Sequence, residues 1–112
     1  MLYAAIREFT PMIGKDAVLE DRILRTSNII EKYGAVSRVG KVIGGHRSGD
    51  YELYNWYETV AAGAAAMEGY SNDPDFKKIF EERALTPVAE MRGPWLGRML
   101  YNSGKNDPRK IV

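Results

Sequence analysis

Only one side chain in this sequence titrates near neutral pH without help from its surroundings, and that is His46, the sole histidine. As a general base it would take a proton from a phenol or an activated carbon. Its neighbours, Gly44-Gly45-His46-Arg47-Ser48-Gly49, read as a loop tip that fixes a base poorly, so a solvated histidine is the competing reading. Arg7 is the second candidate. It lies in the apolar run from Leu2 to Thr10, and a guanidinium buried there needs a partner, either Glu58 or an acidic substrate. On the outside of an edge strand it would need neither. Trp56 is suited to stacking on a planar molecule, and Tyr54, Tyr3 and Tyr57 can each donate a hydroxyl proton to a carbonyl. Aromatic residues on strands equally fill cores and subunit contacts. Asn28 can face a cleft from a first helix or simply meet water, and Met67 lies on a helix face that would line the same hollow.

Several chemistries are closed to the chain. It has no cysteine, which removes disulfides, thiolate nucleophiles and cysteine metal sites, and one histidine cannot build a multi-histidine centre. Neither the dinucleotide fingerprint nor the P-loop pattern is present, and a lone loop histidine supports no serine triad. No cofactor is therefore expected. Sixteen basic and fifteen acidic side chains leave a net charge of +1, which gives nucleic acid or anionic lipid nothing to attract. No apolar run approaches the roughly 20 residues that cross a bilayer, and the first residues lack the basic start of a signal peptide. The expectation is a cytoplasmic protein without nucleic-acid or membrane partners.

The elements that must position these residues follow from patterning. Leu2, Ala4 and Ile6 alternate with Tyr3, Ala5, Arg7 and Phe9, which predicts a strand over 2–10. Asp16 is placed to cap a helix over 17–33, where Leu19, Ile23, Thr26, Ile30 and Tyr33 form one stripe and Arg22 falls outside it. Gly34 suits its left-handed stop. A strand over 35–43 and an aromatic strand from Tyr51 to Tyr57 form an antiparallel hairpin. Thr59 caps a helix of very small residues, Ala61 to Ala66, which reaches Tyr70. Asp73-Pro74 opens a further helical segment to Ala84, with Phe76, Ile79, Phe80 and Arg83 on one side. A last strand over 90–101 carries Gly93-Pro94, a bulge signal flanked by Arg92 and, further on, Arg98. Residues 1–102 are expected as one domain and 103–112 as a polar tail.

The order is βαββαβ. Right-handed crossovers place both helical connections on one face of a four-stranded antiparallel sheet, an α+β ferredoxin-like sandwich. The other face is left bare, and covering it with a second copy predicts a homodimer that closes into an α/β barrel. An RNA-recognition sheet shares this order, but its third strand should be basic, whereas this one opens Asp50-Tyr51-Glu52.

With this element order, Trp56-Tyr57-Glu58-Thr59 ending the third strand, and Asn72-Asp73-Pro74-Asp75-Phe76 breaking the second crossover, the chain resembles the dimeric α/β-barrel superfamily. That group holds antibiotic-biosynthesis-type cofactor-free monooxygenases, haem-degrading monooxygenases, muconolactone-isomerase-like enzymes and NIPSNAP-like proteins. The resemblance implies a ligand held between helices and sheet within each subunit. It also implies a pocket role for Trp56, at the position where haem-degrading and polyketide-oxidising members keep a tryptophan. The second-helix histidine of the haem degraders is replaced by Ala64, Ala65, Ala66 and Met67, and their first-strand asparagine is missing from Ala4-Ala5-Ile6-Arg7. Haem degradation by that route is thus disfavoured. The expected function is binding of a small apolar or aromatic molecule, with cofactor-free oxygenation or isomerisation if the protein is an enzyme, and a non-catalytic ligand-binding or interaction module as the alternative. The expected hollow lies between the slim helix and the aromatic strand.

Overall fold

The computed structural model describes residues 2–101, so the expected tail over 103–112 lies outside the described residues. Seven elements follow in order: β1 (Tyr3–Pro11), α1 (Asp16–Glu31), β2 (Val36–Lys41), β3 (Tyr51–Tyr57), α2 (Val60–Ser71), α3 (Pro74–Leu85) and β4 (Ala89–Arg98). The strands form one antiparallel sheet in the order β2-β3-β1-β4, the ferredoxin-like arrangement expected from the sequence.

The helix boundaries have local causes. The Thr59 side chain accepts the Ala62 N–H at 3.0 Å and starts α2, while Asp73 accepts the Asp75 N–H at 2.8 Å and starts α3. The Asp73-Pro74 pair therefore splits the second crossover into two helices, which makes the helical layer three-membered. Asp16 is the first residue of α1, not its cap, and its carboxylate instead accepts the Tyr51 hydroxyl at 3.1 Å. Gly34 takes the left-handed conformation, φ 98°, that ends the turn after α1.

Strand alternation decides the two faces. Tyr51, Leu53, Asn55 and Tyr57 of β3 are buried beneath the helices, whereas Glu52, Tyr54 and Trp56 are only half-buried on the opposite face. Register places Val36, Ile6 and Trp95 with Tyr54 and Trp56 on that open face. Two apolar clusters fill the covered side. One gathers Ala5, Ile29, Ile30, Tyr57, Ala66, Tyr70, Phe76 and Ile79, and the other gathers Phe9, Leu19, Ile23, Tyr51, Leu53 and Val88. Ile23, Ile30 and Leu53 are essentially sealed from water, each contributing about 1.5–3 kcal/mol by burial.

The slim helix lies close to the sheet. A Cβ added at Gly63 would come within 3.2 Å of the Tyr57 ring, and one at Gly69 within 2.6 Å of the Tyr33 ring. Gly63 and Ala66 thus let α2 approach the sheet and Gly69 the Tyr33 ring, while Ala61, Ala62, Ala64 and Ala65 meet solvent, and the hollow expected between α2 and β3 is displaced to the other end of the helical layer. No helix among the described residues is long and apolar enough to cross a membrane.

Candidate functional site

Between Ile6 and Glu8 the pairing of β1 with β4 slips, because two residues of β4, Gly93 and Pro94, stand opposite the single residue Arg7. Gly93 adopts φ 97°, and a Cβ there would lie 2.6 Å from the Ile6 carbonyl oxygen, so the bulge depends on glycine at that position. The bulge is the one marked by Gly93-Pro94 in the sequence. It sits beside Arg7 at the wall of a cavity of about 430 Å³, within the roughly 300–1,000 Å³ range of small-molecule sites.

This cavity opens between α1, α3 and the β1–β4 side of the sheet. Leu19, Arg22, Ile23 and Thr26 reach it from α1, Phe76, Ile79, Phe80, Arg83 and Ala84 from α3, and Arg7, Phe9, Val88, Met91 and Pro94 from the sheet side. The walls are mainly apolar: the lining Phe76 and Phe80 rings are 5.0 Å apart, and behind them the Tyr70 ring lies 4.9 Å from Phe76. Phe80, half-exposed at 50%, places one aromatic face within reach of solvent.

Arg7 is buried, 8% exposed, and held by neutral groups. Its guanidinium donates to Asn55 Oδ1 at 3.0 Å and to the Tyr70 hydroxyl at 2.9 Å. Asn55 is completely buried and passes the interaction on, donating from Nδ2 to Ser37 Oγ at 2.8 Å. A polar seam therefore runs through the covered side of the sheet between the two apolar clusters. Arg22 donates to the Thr86 carbonyl at 2.7 Å, at the C-terminal end of α3 where the helix dipole favours a cation. Arg83 lies over the Phe80 ring at 5.0 Å. Burial, followed by the like charges of Arg7 and Arg22, holds Arg83 below the ordinary arginine value. Nearby, burial and then Tyr70 push the Tyr57 hydroxyl up to about 12, so it stays protonated at neutral pH and remains a donor.

Of the residues singled out in the sequence, Arg7 alone lines this cavity. Trp56 and Tyr54 stand on the opposite face of the sheet, where their rings stack at 6.4 Å with planes 12° apart. Tyr3 shares the covered side with Arg7 but lies two pleats away at the end of β1, paired with Tyr57 and Arg98. Asn28 and Met67 are exposed on α1 and α2, and His46 is exposed in the loop joining β2 to β3. Sequence reasoning missed Arg22, Arg83, Asn55 and Tyr70 as site residues. The signals were present: Arg22 follows Leu19 by three and precedes Thr26 by four, which puts it on the α1 stripe, not outside it. Arg83 was on the α3 stripe already, and Asn55 shares the inward parity of Tyr51, Leu53 and Tyr57.

No family model matches the sequence, and no curated protein matches it. Solved structures do. An uncharacterised NIPSNAP domain protein from Burkholderia xenovorans is 19% identical, with a TM-score of 0.63 over 85% of this chain and 95% of its own. Protein Atu4242 from Agrobacterium tumefaciens is 12% identical, with a TM-score of 0.69 over 93% and 96% of the two chains. A protein from Deinococcus radiodurans named as a candidate antibiotic biosynthesis monooxygenase is 11% identical, with a TM-score of 0.60 over 94% of each chain. At these identities the likeness is one of fold, and it is the fold expected from the order of elements and the aromatic third strand.

Proposed function

We propose that this protein holds a small, largely apolar or aromatic molecule in the cleft between α1, α3 and the β1–β4 side of the sheet, and does so as a homodimer joined through the open sheet face. The observation that carries the reading is the cleft itself. It is of small-molecule size, walled by Phe9, Phe76, Ile79, Phe80 and Met91, with Arg7 fixed at its floor by Asn55 and Tyr70. Oxygenation, after the name of one structural neighbour, or isomerisation of the bound molecule is the catalytic form of this proposal. Among the described residues lining the cleft there is no histidine and no carboxylate, so a substrate proton has no obvious acceptor there. That observation favours binding without turnover.

The test is equilibrium binding of polycyclic phenols and naphthalene-type probes, with Thr26→Trp as the variant that fills the cleft from α1. Binding by the native protein and its loss in the folded variant are expected. Equal binding by both proteins would move the site elsewhere. Oxygen uptake in the presence of a bound phenol would establish the catalytic form.

A further inference from the structure

Three guanidinium groups, Arg7, Arg22 and Arg83, line one largely apolar cleft, and among the described residues none of them has a carboxylate oxygen within 4.0 Å. The neighbouring acids make their close contacts elsewhere, although Glu82 lies near enough to Arg22 for the arginine's charge to help hold its carboxyl down, after Arg25. Glu82, next to Arg83 in sequence, accepts Arg25 at 2.8 and 3.2 Å, and Glu8 accepts Arg47 at 2.7 Å. The close contacts of the three cleft arginines are neutral: Asn55 and Tyr70 for Arg7, the Thr86 carbonyl for Arg22, and the Phe80 ring for Arg83. Arg22 is only 8% exposed, yet its Nε–H is buried and has no acceptor. That donor is out of a ligand's reach, but the charge it belongs to is buried beside the cavity with one neutral acceptor, a cost that an anion in the cleft would offset. Like charges crowding Arg83 add to the same imbalance.

We infer that the cleft is built for an organic acid, with its carboxylate seated among Arg7, Arg22 and Arg83 and its apolar body laid against Phe76, Phe80 and Met91. This deepens the reading of the cleft as a small-molecule site and rests on it. A carboxylate matches the planar donor fork of arginine, and a single monoanion offsets the repulsion while leaving apolar surface to bury. Arginines fixed in advance by Asn55, Tyr70 and Thr86 lose little freedom when the anion arrives. The ligand class is thus an aryl or medium-chain carboxylic acid, held more tightly than a neutral hydrocarbon or phenol of the same shape.

Calorimetric titration with two matched pairs, 2-naphthoate against 2-naphthamide and octanoate against octanamide, separates the head group from the body. The acids should bind about tenfold or more tightly than their amides at low ionic strength. Arg83→Met, which keeps the aliphatic stem on a half-exposed residue, should collapse that ratio by weakening the acids far more than the amides, and Arg22→Gln should do the same. Acids and amides binding equally, or a preference untouched by Arg83→Met, would overturn the anion inference and leave the cleft reading standing. If neither member of either pair binds, both fall together.

Discussion

Tyr33 and Asp73 join the end of α1 to the start of α3 through one hydrogen bond. The Tyr33 hydroxyl donates to Asp73 Oδ2 at 2.7 Å, while Oδ1 of the same carboxylate caps α3 and Lys32 Nζ lies 3.7 Å away. The Tyr33 bond, opposed by burial and assisted by backbone N–H groups and Lys32, holds the Asp73 carboxyl below its ordinary value of 3.8. A carboxyl whose folded value is depressed adds stability that is complete above the unfolded value and is lost as pH falls through the folded one. Tyr33→Phe should therefore lower the urea midpoint near neutral pH, and the gap to the native protein should close as the pH drops below 3.8. A gap that persists unchanged into acid would mean the hydroxyl acts independently of the carboxylate's charge, and no gap at neutral pH would mean the ring alone holds the two helices together. Single residues were the least legible scale in the sequence. The need of Arg7 for a partner was readable, but the partners, Asn55 from β3 and Tyr70 from α2, come from distant segments that only the sheet register and crossover bring together.

Elements were read far more reliably, because caps and alternation act locally. Thr59, Asp73-Pro74, Gly34 and the Gly93-Pro94 bulge all do what their chemistry dictates. Patterning alone left open what the small residues of α2 are for, since a run of alanines is compatible with a gap or with close contact. The rings of Tyr57 against Gly63 and of Tyr33 against Gly69 decide for contact on the inward side, while Ala61, Ala62, Ala64 and Ala65 meet solvent. Gly69→Ala gives a direct check. In an unobstructed helix the change would stabilise by about 1 kcal/mol through backbone entropy. Here the new Cβ would meet the Tyr33 ring at 2.6 Å, and that ring is tethered by Asp73, so overpacking of about 1–3 kcal/mol outweighs the gain. Net destabilisation of up to about 2 kcal/mol in urea unfolding is expected. A stabilised variant would show that α2 stands off from Tyr33 after all.

At the scale of the whole molecule the two faces of the sheet divide the work. The cleft with its arginines lies under the helices, while the open face carries Ala4, Ile6, Val36, Tyr54, Trp56 and Trp95 at one end and a charge network of Glu8, Arg47, Asp50, Glu52 and Arg92 at the other. Trp95 is 49% exposed and Trp56 only half-buried, a large apolar area for a surface that only water covers. A second copy, related by a two-fold axis, would bury both rings, and a stable interface needs about 800 Å² from each partner. The pair Ile6→Glu and Trp56→Glu places charges in the middle of that apolar end, where desolvating them would cost several kcal/mol in a dimer and little in a monomer. Sedimentation equilibrium should therefore show the native chain at twice its 12.6 kDa mass and the double variant at the single mass. Because the cleft faces the other way, the monomeric variant should still bind 2-naphthoate. Retention of the dimer would place the subunit contact on another surface, such as the β4 edge with its exposed Leu96, and Trp56 would then need a different explanation.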